Sequence, residues 1–177
     1  MNDSISLRPL RTDDAEWIFE ACQDLEIQKW TQIPRPYTRE HAADFVMTLA
    51  GDVEVWVVEN QSTGQALGVV GIHSINPITR VADIGYWMSH QGRGQGAMKK
   101  AIALLLEKLQ DNPDVAYVEA TIAEENLASR KTAESVGFIL LGAADKGCNC
   151  GGEIVSAVLY QYALKASPLQ NLSLNPR

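Results

Sequence analysis

No apolar run in the 177-residue chain approaches the roughly 20 residues that span a bilayer, so no membrane partner is expected. The opening Met1-Asn-Asp-Ser4 lacks the basic patch and apolar stretch of a signal peptide, and a cytoplasmic location is the expectation. Basic charge is in short supply: 15 Lys and Arg stand against 22 Asp and Glu, a formal charge of -7. A nucleic-acid binder needs a concentrated basic face, so no such partner is expected. An acidic surface suits a cationic partner such as an amine better. Cysteine is scarce as well. Cys148 and Cys150 form a C-x-C pair and Cys22 lies far away. Two close thiolates do not complete a four-ligand zinc site. His41, His73 and His90 would join them only by coincidence of folding, so no metal is expected. The cysteines read as reduced thiols, with Cys148 and Cys150 on a Gly-rich loop.

Hydrophobic residues at 46% and charged residues at 21% make an ordinary globular mixture. A single domain is expected over residues 1–165, followed by a polar, Pro-containing tail at 166–177. Ile5 to Leu10 is a strand candidate. Asp13 is placed to cap the next helix, with Glu16 closing a capping box. Trp17, Ile18, Ala21 and Leu25 recur at helical spacing. Trp30 to Tyr37 reads as a stiff loop, and Thr38 as the cap of a helix with Ala42, Phe45, Val46 and Leu49 on its apolar face. Val53 to Glu59, Ala66 to His73 and Ala82 to Ser89 read as strands joined by hairpins. The pattern then changes. Gly96 to Gln110 is a helix and Val115 to Ile122 a strand, which completes a parallel crossover unit. A shorter helix at 126–136, a strand from Phe138 and a last strand from Ile154 to Ala163 follow.

The most informative segment joins the strand at 82–89 to the helix at 96–110. Gly92, Gly94 and Gly96 let backbone N–H groups approach a ligand closely. The helix start beyond adds unpaired N–H groups at its positive end. Together they suit a phosphate or diphosphate. Gly92-x-Gly94-x-x-Ala97 also fits a relaxed dinucleotide fingerprint, with Glu119 as ribose-binding acid. That reading needs further parallel crossovers, which the chain lacks. A nucleotide-triphosphate loop fails too, because no Gly-Lys-Ser/Thr follows the glycines.

Gln91-Gly-Arg-Gly-Gln-Gly96 resembles the Q/R-x-x-G-x-G/A diphosphate loop of the GNAT superfamily of N-acetyltransferases. Three further segments resemble the subgroup that acetylates the N-termini of ribosomal proteins. They are Leu7-Arg-Pro-Leu-Arg-x-x-Asp-Ala15, Ile84-Gly-Tyr-Trp87, and Glu125-Asn-Leu-Ala-Ser129 continuing to Ala133-Glu-Ser-Val-Gly-Phe138. The likeness runs from about Leu7 to Ala163. It implies an α+β fold of three α/β/α layers, the acyl-CoA N-acyltransferase fold. Its mixed, mostly antiparallel sheet would splay between the strands at 82–89 and 115–122, with acetyl-CoA in the gap.

The resemblance also implies roles. The diphosphate would meet Gln91, Gly92, Arg93, Gly94, Gln95, Gly96 and Ala97, and the pantetheine arm the edge at Trp87, Met88 and Ser89. Ser129 would serve the departing thiolate and Asn126 would hold the corner or bond the arm. Many members use a Tyr as acid, and the matching helix here has none. For a base acting through water the candidates are Glu119, Glu124, Asp83 and His73, with Glu119 placed in the catalytic set beside Ser129 and Asn126. Glu125 fits the helix start. The loop from Trp30 to Tyr37 would overlie the acceptor pocket. The implied activity is acetyl transfer to a primary amine, on a protein N-terminus or a small molecule, by a monomer or homodimer. The alternative is a non-catalytic module that keeps the CoA cradle.

Overall fold

The structure, a computed structural model, describes residues 4–49 and 54–164. Val53, expected to open a strand, and the tail from 166 lie outside the described residues. In chain order the elements are β1 (Ile5–Pro9), α1 (Ala15–Ala21), α2 (Leu25–Trp30), α3 (Arg39–Leu49), β2 (Val55–Asn60), β3 (Gln65–Asn76) and β4 (Val81–Met88). Then come α4 (Ala97–Leu109), β5 (Tyr117–Ala123), α5 (Leu127–Val136), β6 (Ile139–Ala143), β7 (Cys148–Cys150), β8 (Glu153–Val155) and β9 (Ala157–Ala163).

A seven-stranded sheet has the order β1-β2-β3-β4-β5-β9-β6. Every neighbouring pair is antiparallel except β4 and β5, which are parallel and joined through α4. That pair holds only from Val81–Asp83 against Tyr117–Glu119. Beyond Asp83 the two strands part, so the sheet is split where the resemblance places the gap.

Apolar periodicity puts a helical layer on each face. On α4, Met98, Ala101, Ile102, Leu105, Leu106 and Leu109 recur every three or four residues and are all buried. They share a core with Val118, Ala120 and Ile122 of β5 and Ala133 of α5. The other face holds a second core built from Ile18, Ile27, Ala42 and Val46 of α1 to α3 against Val57 and Val69.

Three expectations need correction. Asp14, not Asp13, organises the first helix start: its carboxylate accepts from the Arg11 amide at 2.7 Å. Glu16 turns away to pair with Arg39 at 2.7 Å. The first helix also does not run on to Leu25, because Asp24 caps a new helix by accepting from the Glu26 amide at 2.8 Å. Finally, the Gly-rich stretch at Cys148 is a small hairpin, β7–β8. Gly147, Gly151 and Gly152 turn the chain there at φ 64°, 65° and 88°. The last strand therefore starts at Ala157.

Asp14 explains the Arg-x-x-x-x-x-Asp spacing of the opening motif. Arg8 meets its two oxygens at 2.8 and 2.7 Å, Trp17 Nε1 donates at 2.6 Å, and Arg8 Nε reaches Glu59 at 2.7 Å. Burial pushes the Asp14 carboxyl up, but the bonds from Arg8, Trp17 and the Arg11 amide outweigh it and hold the group below its ordinary value. A depressed folded pKa stabilises the fold above the unfolded carboxyl's range. That stability is lost as pH falls through the folded value. Asp14→Asn is expected to cost about 2 kcal/mol at neutral pH, since hydrogen bonds to a charged partner contribute roughly 1.5–3 kcal/mol. Urea unfolding checks this, and the gap from the parent protein should close in acid.

Candidate active site

Strand alternation sets up the site. On β4, Ile84 and Tyr86 face the α4–α5 core, which puts Asp83, Gly85 and Trp87 on the opposite face. The backbone alternates as well. The Ser89 amide donates to Leu67 O at 2.8 Å, so the adjoining Met88–Gly68 pair is not hydrogen-bonded and the N–H groups of Met88 and Tyr86 point away from β3. With β5 gone beyond Asp83, those groups border the gap.

At the end of β4 a short 3₁₀ turn, His90–Gly92, leads into the glycines. The Gly92 and Arg93 amides are already paired, to Ser89 O at 3.0 Å and His90 O at 3.3 Å. The amides of Gly94, Gln95, Gly96 and Ala97 have no partner among the described residues. Gly94 and Gly96 stand at φ 76° and 72°, and a Cβ on either would point into open space. The cradle is thus narrower than expected. It begins at Gly94 and continues into the first turn of α4. Gly92 is small for another reason: a Cβ there would strike the Met88 side chain.

Arg93 does not offer its guanidinium freely to a diphosphate. Its Nη1 pairs with Asp24 at 2.8 Å and its Nε donates to Met88 O at 3.1 Å. It ties the loop to the turn before α2. Lys99 and Lys131 border the same cleft and supply positive charge there.

The cleft measures 1760 Å³ and is bordered by Trp87, Met88, Gly92, Arg93, Gly94, Gly96, Ala97, Asn126 and Ser129 among the expected site residues. Ser89, Gln91, Gln95 and Glu119 do not border it. Ser89 is buried, with its hydroxyl unpaired. Glu119 is tied back to Gln161 at 2.8 Å across β9. Of the other candidate bases, His73 and Asp83 line the cleft and Glu124 does not.

Asn126 caps α5, its side chain accepting from the Ser129 amide at 3.1 Å. Ser129 therefore sits in the first turn of α5. Its hydroxyl donates to Tyr86 Oη at 2.9 Å, and the Tyr86 hydroxyl donates to Ser129 O at 3.3 Å. Burial pushes the Tyr86 hydroxyl up to about 12, against the opposing bond from Ser129. Tyr86 thus stays protonated at neutral pH. Reading α5 alone missed this tyrosine, because it comes from β4. Period-2 alternation in Ile84-Gly-Tyr-Trp87 would have placed it toward α5.

Free amides at a helix start, an unpaired strand edge and a hydroxyl at the gap's far wall fit one elongated ligand, anionic at one end and amide-bearing along its length. The site is that of an acyl-transfer enzyme working on a coenzyme A thioester. A model of the acetyltransferase (GNAT) domain matches residues 4–139, and the chain belongs to that family. It is an N-acetyltransferase with acetyl-CoA as cosubstrate.

Among relatives, it is 24% identical over 175 residues to the putative ribosomal N-acetyltransferase YdaF of Bacillus subtilis, covering 90% of this chain and 91% of that one. Its fold is similar to RimL, a ribosomal alpha-N-protein acetyltransferase solved with coenzyme A. The TM-score is 0.81 at 20% identity, over 93% of this chain and 96% of that one. It is also similar to the microcin self-immunity acetyltransferase MccE, solved with acetyl-CoA and AMP. There the TM-score is 0.81 at 21% identity, over 91% and 93% of the two chains.

Proposed function

We propose that the chain acetylates the primary amine of a protein N-terminus, in the cytoplasm. The observation that carries this is the form of the gap: a split sheet whose cleft runs on from the cofactor side to Glu26, Trp30, His41 and Phe45 of the α2–α3 side. That far end suits an extended acceptor. Charge in the cleft is divided to match. Glu26, Asp44 and Asp83 border the side formed by α2, α3 and the strands, with Lys146 before β7 the exception there, while Lys99 and Lys131 come from α4 and α5, with Glu125 before α5 the exception there. A cationic amine is drawn to the first side and an anionic cofactor to the second. The names of two relatives, the ribosomal acetyltransferases YdaF and RimL, support the same reading, whereas MccE is named for microcin self-immunity.

Bound acetyl-CoA supplies an acyl group already activated as a thioester. The chain's residues bind and orient it. Amides from Gly94 into α4 would hold the diphosphate, and the Tyr86 N–H would hold the arm as a neighbouring strand would. The Met88 N–H would be left to polarise the acyl oxygen. Ser129, its position set by the Asn126 cap, would turn its hydroxyl from Tyr86 Oη to give a hydrogen bond at the sulfur. Much of the rate then comes from holding the amine beside the acyl carbon.

An amine panel that reads released thiol tests the acceptor. Peptides with free N-termini should exceed polyamines, antibiotics and free amino acids in kcat/KM by at least about tenfold, the value of roughly 1.4 kcal/mol of preferential binding. A small amine in first place would overturn the N-terminal reading. Acetyl-CoA binding with no thiol release from any amine would favour the non-catalytic module.

A further inference from the structure

We propose that His73 is the general base that takes the acceptor amine's proton, with Asp83 as the residue that positions it. The proposal rests on amine acetylation as set out above and names the group which that reading leaves open.

The placement begins with a bulge. Ile72 pairs with Ile84 and Ser74 with Asp83, so His73 is the extra residue between two rungs of the β3–β4 ladder. Such a residue escapes strict alternation, and its side chain is re-aimed. The His73 ring lies across Gly85, where a Cβ would collide with its Cε1 and Nε2 atoms. This gives the glycine of Ile84-Gly-Tyr-Trp87 a reason: any side chain would evict the imidazole.

Nδ1 stands 3.4 Å from Asp83 Oδ2. A carboxylate at that distance favours the tautomer with its proton on Nδ1, which would leave the lone pair on Nε2. Among the described residues Nε2 has no partner, and His73, Asp83 and Gly85 all border the cleft. The side chain is 64% exposed, so a proton taken there passes on to water.

Consecutive residues of β4 thereby carry the two halves of the proton traffic. Gly85 seats His73 on the acceptor face. Tyr86 holds Ser129 on the other face, beside the gap. One ammonium N–H bond breaks and an Nε2–H bond forms, which leaves the amine neutral with its lone pair free to attack. As the C–N bond forms and the C–S bond breaks, the nitrogen sheds its second proton to water, and the departing thiolate, hydrogen-bonded by Ser129 on the opposite side, takes its proton from water.

The charges around the ring agree in sign. Asp83 on β4, Glu119 in register with it on β5 and Glu54 beside Ile72 are acidic. Glu26, His41 and Asp44 lie across the cleft, with Lys146 before β7 the basic exception. The nearby Asp83 carboxylate raises the His73 pKa above its ordinary 6.5, with burial opposing.

The test uses the full chain, an N-terminal peptide and acetyl-CoA. The parent kcat/KM should rise with pH through an inflection above 6.5, which ring NMR assigns to His73. His73→Gln should lower the plateau about 100-fold, at the lower end of the range for a positioned base, and erase that inflection while the peptide's own remains. Asp83→Asn should move it to lower pH. Calorimetry should find acetyl-CoA affinity unchanged in both variants. A folded His73→Gln protein with the parent's rate and profile overturns the assignment and leaves amine acetylation standing. A parent protein that acetylates no amine overturns both.

Discussion

Gly94→Val should weaken acetyl-CoA binding about 10- to 100-fold, while Gly64→Val leaves it unchanged. The two glycines make a controlled pair. Each has a left-handed backbone, at φ 76° and 71°, and neither would bring a new Cβ within 4 Å of another atom. A β-branched residue in that conformation costs of the order of 1–3 kcal/mol wherever it stands, so both variants carry the same kind of strain. Only at Gly94 does the strained conformation aim amides at a ligand. There the variant must either hold the loop against its preference or let the cradle relax, and the new methyls stand where a diphosphate would approach. A cost of 1.4–2.7 kcal/mol is 10- to 100-fold in affinity. Titration calorimetry with acetyl-CoA measures it. Equal affinity for Gly94→Val and the parent would remove the turn from the binding site.

The narrowing of this cradle shows where sequence reading stops. Glycine spacing between a strand and a helix was enough to find the turn, because positive φ and helix polarity are local properties. It did not separate Gly94, which frees an amide for a ligand, from Gly92, which makes room for Met88 within the protein. That difference depends on a side chain folded back from β4. Arg93 misled for the same reason. Its residue type suits a phosphate, yet Asp24, some seventy residues earlier, holds it.

The parallel crossover and the apolar faces of the helices are legible in periodicity, whereas the splayed sheet and its two flanking layers are legible only through the family resemblance. Arg8 and Asp14 were read as motif letters, and only the fold shows them as an ion pair that stitches β1 to the first helix. His73 was legible as a residue type but not as a placement. A bulge changes register by one residue, and no periodic pattern announces it. Glu119 had the better sequence argument, from its strand beside the gap. Its partner Gln161 comes from β9, which no pattern placed next to β5.

Ser129→Ala should lower the rate of the chemical step by about 10²–10³-fold, in the range for loss of a positioned proton donor. Acetyl-CoA affinity should change by less than about threefold, because the diphosphate and arm contacts come from the backbone. Tyr86→Phe should cost about tenfold. Tyr86 lies one bond behind the reacting atoms: it accepts from the Ser129 hydroxyl at 2.9 Å and donates to Ser129 O at 3.3 Å. With its own proton held up to about 12 by burial, it yields no tyrosinate under working conditions. Its work is to fix the hydroxyl it touches. The two losses should therefore not add. Groups acting through one another lose their effect once the first is gone, so the double variant should match Ser129→Ala alone. Single-turnover measurement of acetyl transfer keeps product release out of the comparison. Additive losses would make Tyr86 an independent participant at the sulfur, and an unchanged single-turnover rate in Ser129→Ala would take the hydroxyl out of the reaction.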